Sequence, residues 1–171
     1  MMRKGFTLVE IVVTVTIIGI LLILAFVNLT SSQVNARDSE RKSDVETAAV
    51  HLETYYASGF DETAANGSYP STALTTDVAS MKSALRDVDL DSITAPGAGG
   101  PLDTFISATN AIETVGGVTP SPTVSEYVYQ PLAWNGSGWV LCEEGLECRR
   151  FNIFYRLETD DAVYKVSSRT Q

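Results

Sequence analysis

A chain of 171 residues, 44% hydrophobic and 19% charged, is long enough for one globular domain plus an additional element. Its formal net charge of −9 favours solubility and argues against broad nucleic-acid affinity, which depends on basic patches that neutralise phosphates. One His, two Cys and no P-loop or dinucleotide fingerprint leave catalysis without its usual parts, and no arrangement reads as an active site or a cofactor site.

The additional element comes first in the chain. Residues 11–27, IVVTVTIIGILLILAFV, are 17 positions without a charge, and extension back to Phe6 gives 22. At about 1.5 Å per helical residue this crosses a hydrocarbon core of about 30 Å. Ala25 followed by Phe26 and Val27 makes no good A-x-A site, so the segment is expected to stay with the mature protein rather than leave as a secretory signal. Glu10 interrupts the run. A carboxylate at the centre of a membrane helix costs roughly 2.5–3.5 kcal/mol on insertion scales, so it marks a function and calls for a partner. Arg3 and Lys4 would hold the N-terminus on the cytoplasmic side, but Arg37, Arg41 and Lys42 near the other end oppose them, and charge counting alone leaves the orientation open.

Beyond Leu29 the composition turns polar and then amphipathic. Val34, Val45, Ala48, Ala49, Leu52, Tyr55 and Tyr56 recur at helical spacing, with Arg37, Glu40, Arg41, Asp44 and Glu53 on other faces. No Pro or Gly intervenes between Gly19 and Gly59, so one helix is expected from about residue 6 to about residue 57. Its apolar half is 6–29 and its amphipathic half 30–58; the domain boundary is then a shared helix and not a linker. His51, between Val50 and Leu52, reads as a helix-face residue and not as a ligand or base.

Residues 59–171 form the expected globular head, divided into a loop-rich part, 59–123, and a sheet, 124–171. Gly, Asn-Gly and Pro signals make 59–72 a loop. Val78, Met81, Leu85 and Val88 predict a short helix capped by Thr75 or Thr76. DVDLD at 87–91 resembles the start of an EF-hand loop, but Ser92 stands where the turn glycine belongs and no Glu occupies the twelfth position, so a solvated loop is expected over a calcium site. Gly and Pro clusters mark loops at 96–101 and 116–122, while 102–114 reads equally as helix or strand.

From Val124 the pattern is β: VSEYVYQPLAW, GWVLC, CRRFNIFYRLE and AVYKVSS, separated by turn compositions. Four antiparallel strands in a meander are expected. In the third, Phe151, Ile153 and Tyr155 alternate with Asn152, Phe154 and Arg156, so that one face covers a helix and the other meets solvent. Arg149 and Arg150 read as part of a solvated strand face rather than a DNA contact. Cys142 and Cys148, an even number at close spacing, suit a disulfide in an oxidising compartment better than zinc, which needs four ligands. A bridge around EEGLE closes a small loop, worth about 2 kcal/mol by chain entropy, and fits a staple on an exposed hairpin.

The sharpest pattern is a short basic leader ending in glycine, then Phe, three residues, Glu and an uncharged apolar run: MMRKG followed by FTLVEIVVTVTIIGILLI. Over residues 1–29 it closely resembles the class III leader and N-terminus of type IV pilins and pseudopilins; the amphipathic helix and the NGSYP turn are similar in layout. The resemblance implies an α+β ladle, a long N-terminal helix packed against a C-terminal four-stranded antiparallel sheet. It implies that a prepilin peptidase removes residues 1–5 between Gly5 and Phe6 and methylates Phe6. Cleavage would turn the Phe6 amide into an amine with an unperturbed pKa of about 8, a cation for Glu10. The two residues are i and i+4 on a helix, so the pair forms within one chain or, as the resemblance implies, between a new subunit and its neighbour.

Gly19 is the expected point of helix flexibility. Many pilins carry a proline where Val27 stands, and the family's filaments melt helix between such a glycine and that proline. The partners implied are the peptidase, a pilus assembly platform with its ATPase, and further copies of the chain in a helical filament. The subunit would occupy the cytoplasmic membrane, single-pass with its N-terminus cytoplasmic, and then an extracellular pilus serving adhesion, twitching motility or DNA uptake. A type II secretion pseudopilin and a minor pilin acting as adhesin share the N-terminus. A signal-anchored enzyme would instead keep residues 1–5.

Overall fold

The computed structural model describes residues 5–58, 67–86 and 88–169, with the backbone alone at 25–28. Arg3 and Lys4, most of the 59–72 loop, Asp87 and the side chain of Val27 lie outside the described residues. The chain divides into two compact units, Met1–Ala36 and Arg37–Gln171.

The first unit is helical. Helix α1 spans Leu8–Ser58, continuous through both units as the uninterrupted sequence predicts, and begins two residues later than expected. Gly19 costs about 1 kcal/mol in helix propensity but does not break it. From Ile11 to Leu24 every Val, Ile and Leu is at least 50% exposed.

In the second unit, Val45, Ala48, Ala49 and Leu52 form the buried stripe of α1, at the i, i+3, i+4, i+7 spacing of an amphipathic helix. They pack with Tyr69, Tyr127, Tyr129, Phe151, Ile153 and Tyr155 in the main core. Five strands make the sheet: β1 (Phe105–Ser107), β2 (Tyr127–Trp134), β3 (Trp139–Leu141), β4 (Arg150–Arg156) and β5 (Val163–Ser167). The order is β1-β2-β4-β5, with β3 also on β2. The four expected strands are present and antiparallel, and β1 adds a short parallel partner to β2.

The meander is corrected. Leu132 pairs with Leu141 on one side and Arg150 on the other, so β3 lies on the edge of β2 opposite β4. β3 offers only three paired residues, whereas the opposite edge of β2 gives β4 a run from Val128 to Leu132. The 142–148 connection therefore crosses from one side of β2 to the other. Cys142 and Cys148 are bonded, and both are buried in the main core rather than set on an exposed hairpin. Tyr69 N donates to Cys148 O at 2.8 Å and Thr72 N to Cys142 O at 3.1 Å, which ties the end of the 59–72 loop over this crossing.

The second sheet face is covered as well. Phe154 and Val128 pack beneath Ala108 and Val118, so the 108–118 segment, and not solvent, meets the outer face. A polar rung runs beside them: Ser167 Oγ donates to Asn152 Oδ1 (2.7 Å) and Asn152 Nδ2 to Gln130 Oε1 (2.9 Å). Gln130 Nε2 in turn donates to the carbonyls of Asn110 and Ile112. Every buried polar group in that rung is satisfied by its neighbour, which is what permits polar residues there at all.

Helix α2 (Val78–Ala84) has Asp77 as its cap, its carboxylate accepting from Ser80 N at 2.9 Å, in place of Thr75 or Thr76. Those threonines end a 3-10 turn over Thr72–Thr75. The ambiguous 102–114 stretch contains both alternatives: a one-turn helix α3 (Pro101–Thr104) followed directly by β1. Asp89 caps a 3-10 turn over Leu90–Ile93.

Candidate functional site at the start of the long helix

Phe6 and Thr7 precede α1, and Thr7 caps it: its Oγ1 accepts from Glu10 N at 3.3 Å while its carbonyl accepts from Ile11 N at 3.3 Å. Thr7-Leu8-Val9-Glu10 is thus the T-x-x-E arrangement of a capping box, with Glu10 at its third helical position. A carboxylate in the first turn faces the positive end of the helix dipole, a favourable interaction of about 0.3–1 kcal/mol. The pattern stands in the sequence, where the charge of Glu10 in an apolar run is the more conspicuous feature. With Phe6 outside the helix, the i, i+4 relation between Phe6 and Glu10 is not present in the uncut chain. Among the described residues the Glu10 carboxylate makes no ion pair.

The polar groups within the apolar run turn inward on the helix. Thr14 Oγ1 donates to Ile11 O (2.9 Å) and Thr16 Oγ1 to Val12 O (2.7 Å), so both hydroxyls are satisfied without water. The two glycines of this stretch, Gly5 and Gly19, are among those where an added Cβ would meet nothing within 4 Å. Glycine where the chain's own packing does not demand it fits a close backbone approach by another molecule.

Within the second unit, the first residues of α1 hold a charged cluster that the sequence reading missed. Arg37 forms a two-pronged pair with Glu158, at 2.9 and 2.6 Å. Arg41 donates to Glu158 Oε1 (2.5 Å), Asp38 Oδ1 (2.8 Å) and the carbonyl of Val124 (2.5 Å). Asp38 accepts from the amides of Glu158 and Thr159, both at 2.9 Å, and from the Thr159 hydroxyl. Arg41 is 1% exposed and Asp38 and Asp44 are 4% exposed, so these faces of the helix, distinct from the apolar stripe, are buried as well. Apart from the Arg41–Asp38 pair, the partners are more than 80 residues apart in sequence, beyond the reach of helical periodicity.

The cluster is electrostatically closed. The bonds from Arg37, then from Arg41, hold the Glu158 carboxyl down at about 2 against the cost of its burial. Asp38 is likewise held low: burial pushes it up, but the Thr159 hydroxyl and the two amides outweigh that. Asp44 shows the opposite balance. Burial pushes it up to about 6, against the pull of its hydrogen bond from Tyr127 Oη at 2.8 Å.

Residues 1–26 match the family model described as the prokaryotic N-terminal methylation motif. No curated protein and no solved structure matches the chain. The match covers the leader, the capped start of α1 and most of the apolar run, and the fold beyond it is a long helix packed on a mixed, mostly antiparallel sheet. The chain therefore carries the class III prepilin leader of the type IV pilin and pseudopilin family on a pilin-like α+β fold.

Proposed function

We propose that this chain is a structural subunit of a type IV pilus-like filament and not an enzyme. A prepilin peptidase cuts between Gly5 and Phe6, removes the leader 1–5 and methylates the Phe6 amine. Residues 6–29 anchor the prepilin in the cytoplasmic membrane, with the N-terminus cytoplasmic, and then enter the filament core; 30–58 carry the head, 59–171. The assembly platform and its ATPase drive the transfer, and adhesion, twitching motility or DNA uptake belong to the assembled fibre.

The observation that carries this reading is the exposed apolar run that opens on a capped Glu10. Each Val, Ile or Leu there gains about 1.5–3 kcal/mol on leaving water, a cover that lipid supplies first and other copies of the helix supply later. Glu10 then needs a cation, and cleavage makes one. Because Phe6 lies outside α1, a neighbour's amine is favoured over the chain's own. Burying the carboxylate unpaired costs about 3–5 kcal/mol, enough to set the axial register of each added subunit. The buried disulfide supports a head folded on the oxidising side of the membrane, with Arg37 and Arg41 bound to head carboxylates on that side.

Mass spectrometry of the mature N-terminus tests the reading. A chain beginning at N-methylated Phe6 is expected, and one retaining residues 1–5 sinks it. Shear-released fibres made of this chain distinguish a pilus from a short periplasmic pseudopilus.

A further inference from the structure

We propose that the heads of neighbouring copies touch through the acidic, disulfide-held loop of one and the Trp134–Arg150 surface of the next. This rests on the filament reading above and adds a contact outside the apolar helix.

The receiving surface lies on the sheet face turned away from α1. Trp134 and Trp139 are cross-strand partners with ring centroids 5.4 Å apart, edge to face, and Trp134 is 55% exposed. Arg150 stacks over Trp139 at 4.2 Å from its ring centre. Its Nε is closed off from solvent and has no hydrogen-bond partner among the described residues. Beside it lies a cleft of about 160 Å³ edged by Arg150, Asn152, Lys165, Ser168 and Glu113. Lys165 Nζ donates to the Glu113 carbonyl at 3.1 Å, and the Glu113 carboxylate accepts from Asn152 at 3.3 Å. Arg37, Arg41, Arg149 and Arg156 each hold a carboxylate; among the described residues Arg150 and Lys165 hold none. On a chain of net charge −9, this face sets aromatic surface beside two cations, Arg150 and Lys165, and one carboxylate, Glu113.

The complementary shape is the 143–147 loop. Glu143, Glu144 and Glu147 are exposed, and Leu146 is 50% exposed at their centre. Glu147 pairs with Arg149 at 2.5 Å, which leaves Glu143 and Glu144 without an ion pair among the described residues. The bridge between Cys142 and Cys148 limits the loop's freedom, so little ordering cost falls on binding. Within one head neither Glu143 nor Glu144 pairs with Arg150 or Lys165 among the described residues. Leu146 on Trp134, with Glu143 and Glu144 toward Arg150 and Lys165, matches apolar to aromatic and acid to base. Trp and Arg are the residue types that dominate interface energies. A loop-to-face contact of this kind is head-to-tail, the class of contact from which open helical filaments are built when the rotation does not close.

The test uses the full chain in cells, with p-benzoylphenylalanine placed at Trp134. Irradiation is expected to give dimers on denaturing gels whose joined peptide spans residues 142–148 of a second copy. Glu144→Lys, in an exposed loop, lowers the yield roughly fivefold, and adding Arg150→Glu to the same chain restores it. Filaments without crosslinks to the loop overturn the contact and leave the filament reading standing. Loop crosslinks in membranes that yield no filaments uphold the contact and overturn that reading. Absence of both overturns both.

Discussion

Between Ile11 and Leu24 helix α1 leaves its Val, Ile and Leu side chains open, whereas between residues 37 and 58 it buries Val45, Ala48 and Leu52 and encloses Asp38, Arg41 and Asp44. Both halves carry carboxylates, Asp38 buried and Glu10 exposed, and they are partnered differently. Asp38 finds its amides, hydroxyl and arginine within the folded head. Glu10 has only the first turn of its own helix. The half with a complete set of partners is closed within the chain; the other leaves its apolar surface open.

The largest expected effect bears on that open half. Glu10→Ala should leave cleavage intact and deplete the subunit from filaments at least tenfold, in line with about 3–5 kcal/mol for an unpaired buried charge. Immunoblots of sheared fibres against whole-cell protein measure it, and normal incorporation removes the pairing argument. Gly5→Phe should trap uncut protein in the membrane, read as a heavier band and an intact N-terminus.

Next in size is the closed half. Arg41→Met leaves Asp38 and Glu158 facing each other without their shared cation and should cost about 3–5 kcal/mol in urea unfolding. A loss below 1 kcal/mol would mean that Arg37 and the amides suffice. Replacing both cysteines by serine should cost about 2 kcal/mol, measured the same way.

The smallest effect is a change of slope with pH. Asp44 has its folded value raised from 3.8 to about 6, so its contribution to stability is fully present below 3.8 and is lost as pH rises through about 6. Glu158, held down to about 2 from 4.5, contributes above 4.5 and loses that contribution as pH falls toward 2. Asp44→Asn keeps an acceptor for Tyr127 and should flatten the decline between pH 4 and about 6. An unchanged profile would place the titration elsewhere.

Legibility in the sequence followed the range of the interactions. The long helix, its buried stripe at Val45, Ala48 and Leu52, and strands β2, β4 and β5 are local patterns, and they were readable. The leader was readable because its motif is a linear string of neighbouring residues. Placement of β3 across β2 from β4, the three-residue β1 and the cover of 108–118 over Phe154 depend on pairings between distant segments, which alternation does not encode. The pairing of Arg37 and Arg41 was not readable because Glu158, more than a hundred residues away, is invisible to helical spacing. Thr7 and Asp77 were legible caps, each three residues ahead of its amide; one was hidden by the conspicuous Glu10 and the other by two neighbouring threonines.

The cluster at Arg37, Asp38 and Arg41 also has a mechanical side. Tension along α1 enters the head at its first residues, and there adjacent turns of helix are bound to the 158–159 segment by several short, charge-assisted bonds. Those bonds share a load and fail together, whereas the sheet edge beyond them would peel one pair at a time. A fibre under pull would then strain a clasp of three helical side chains before it disturbed the hydrophobic core.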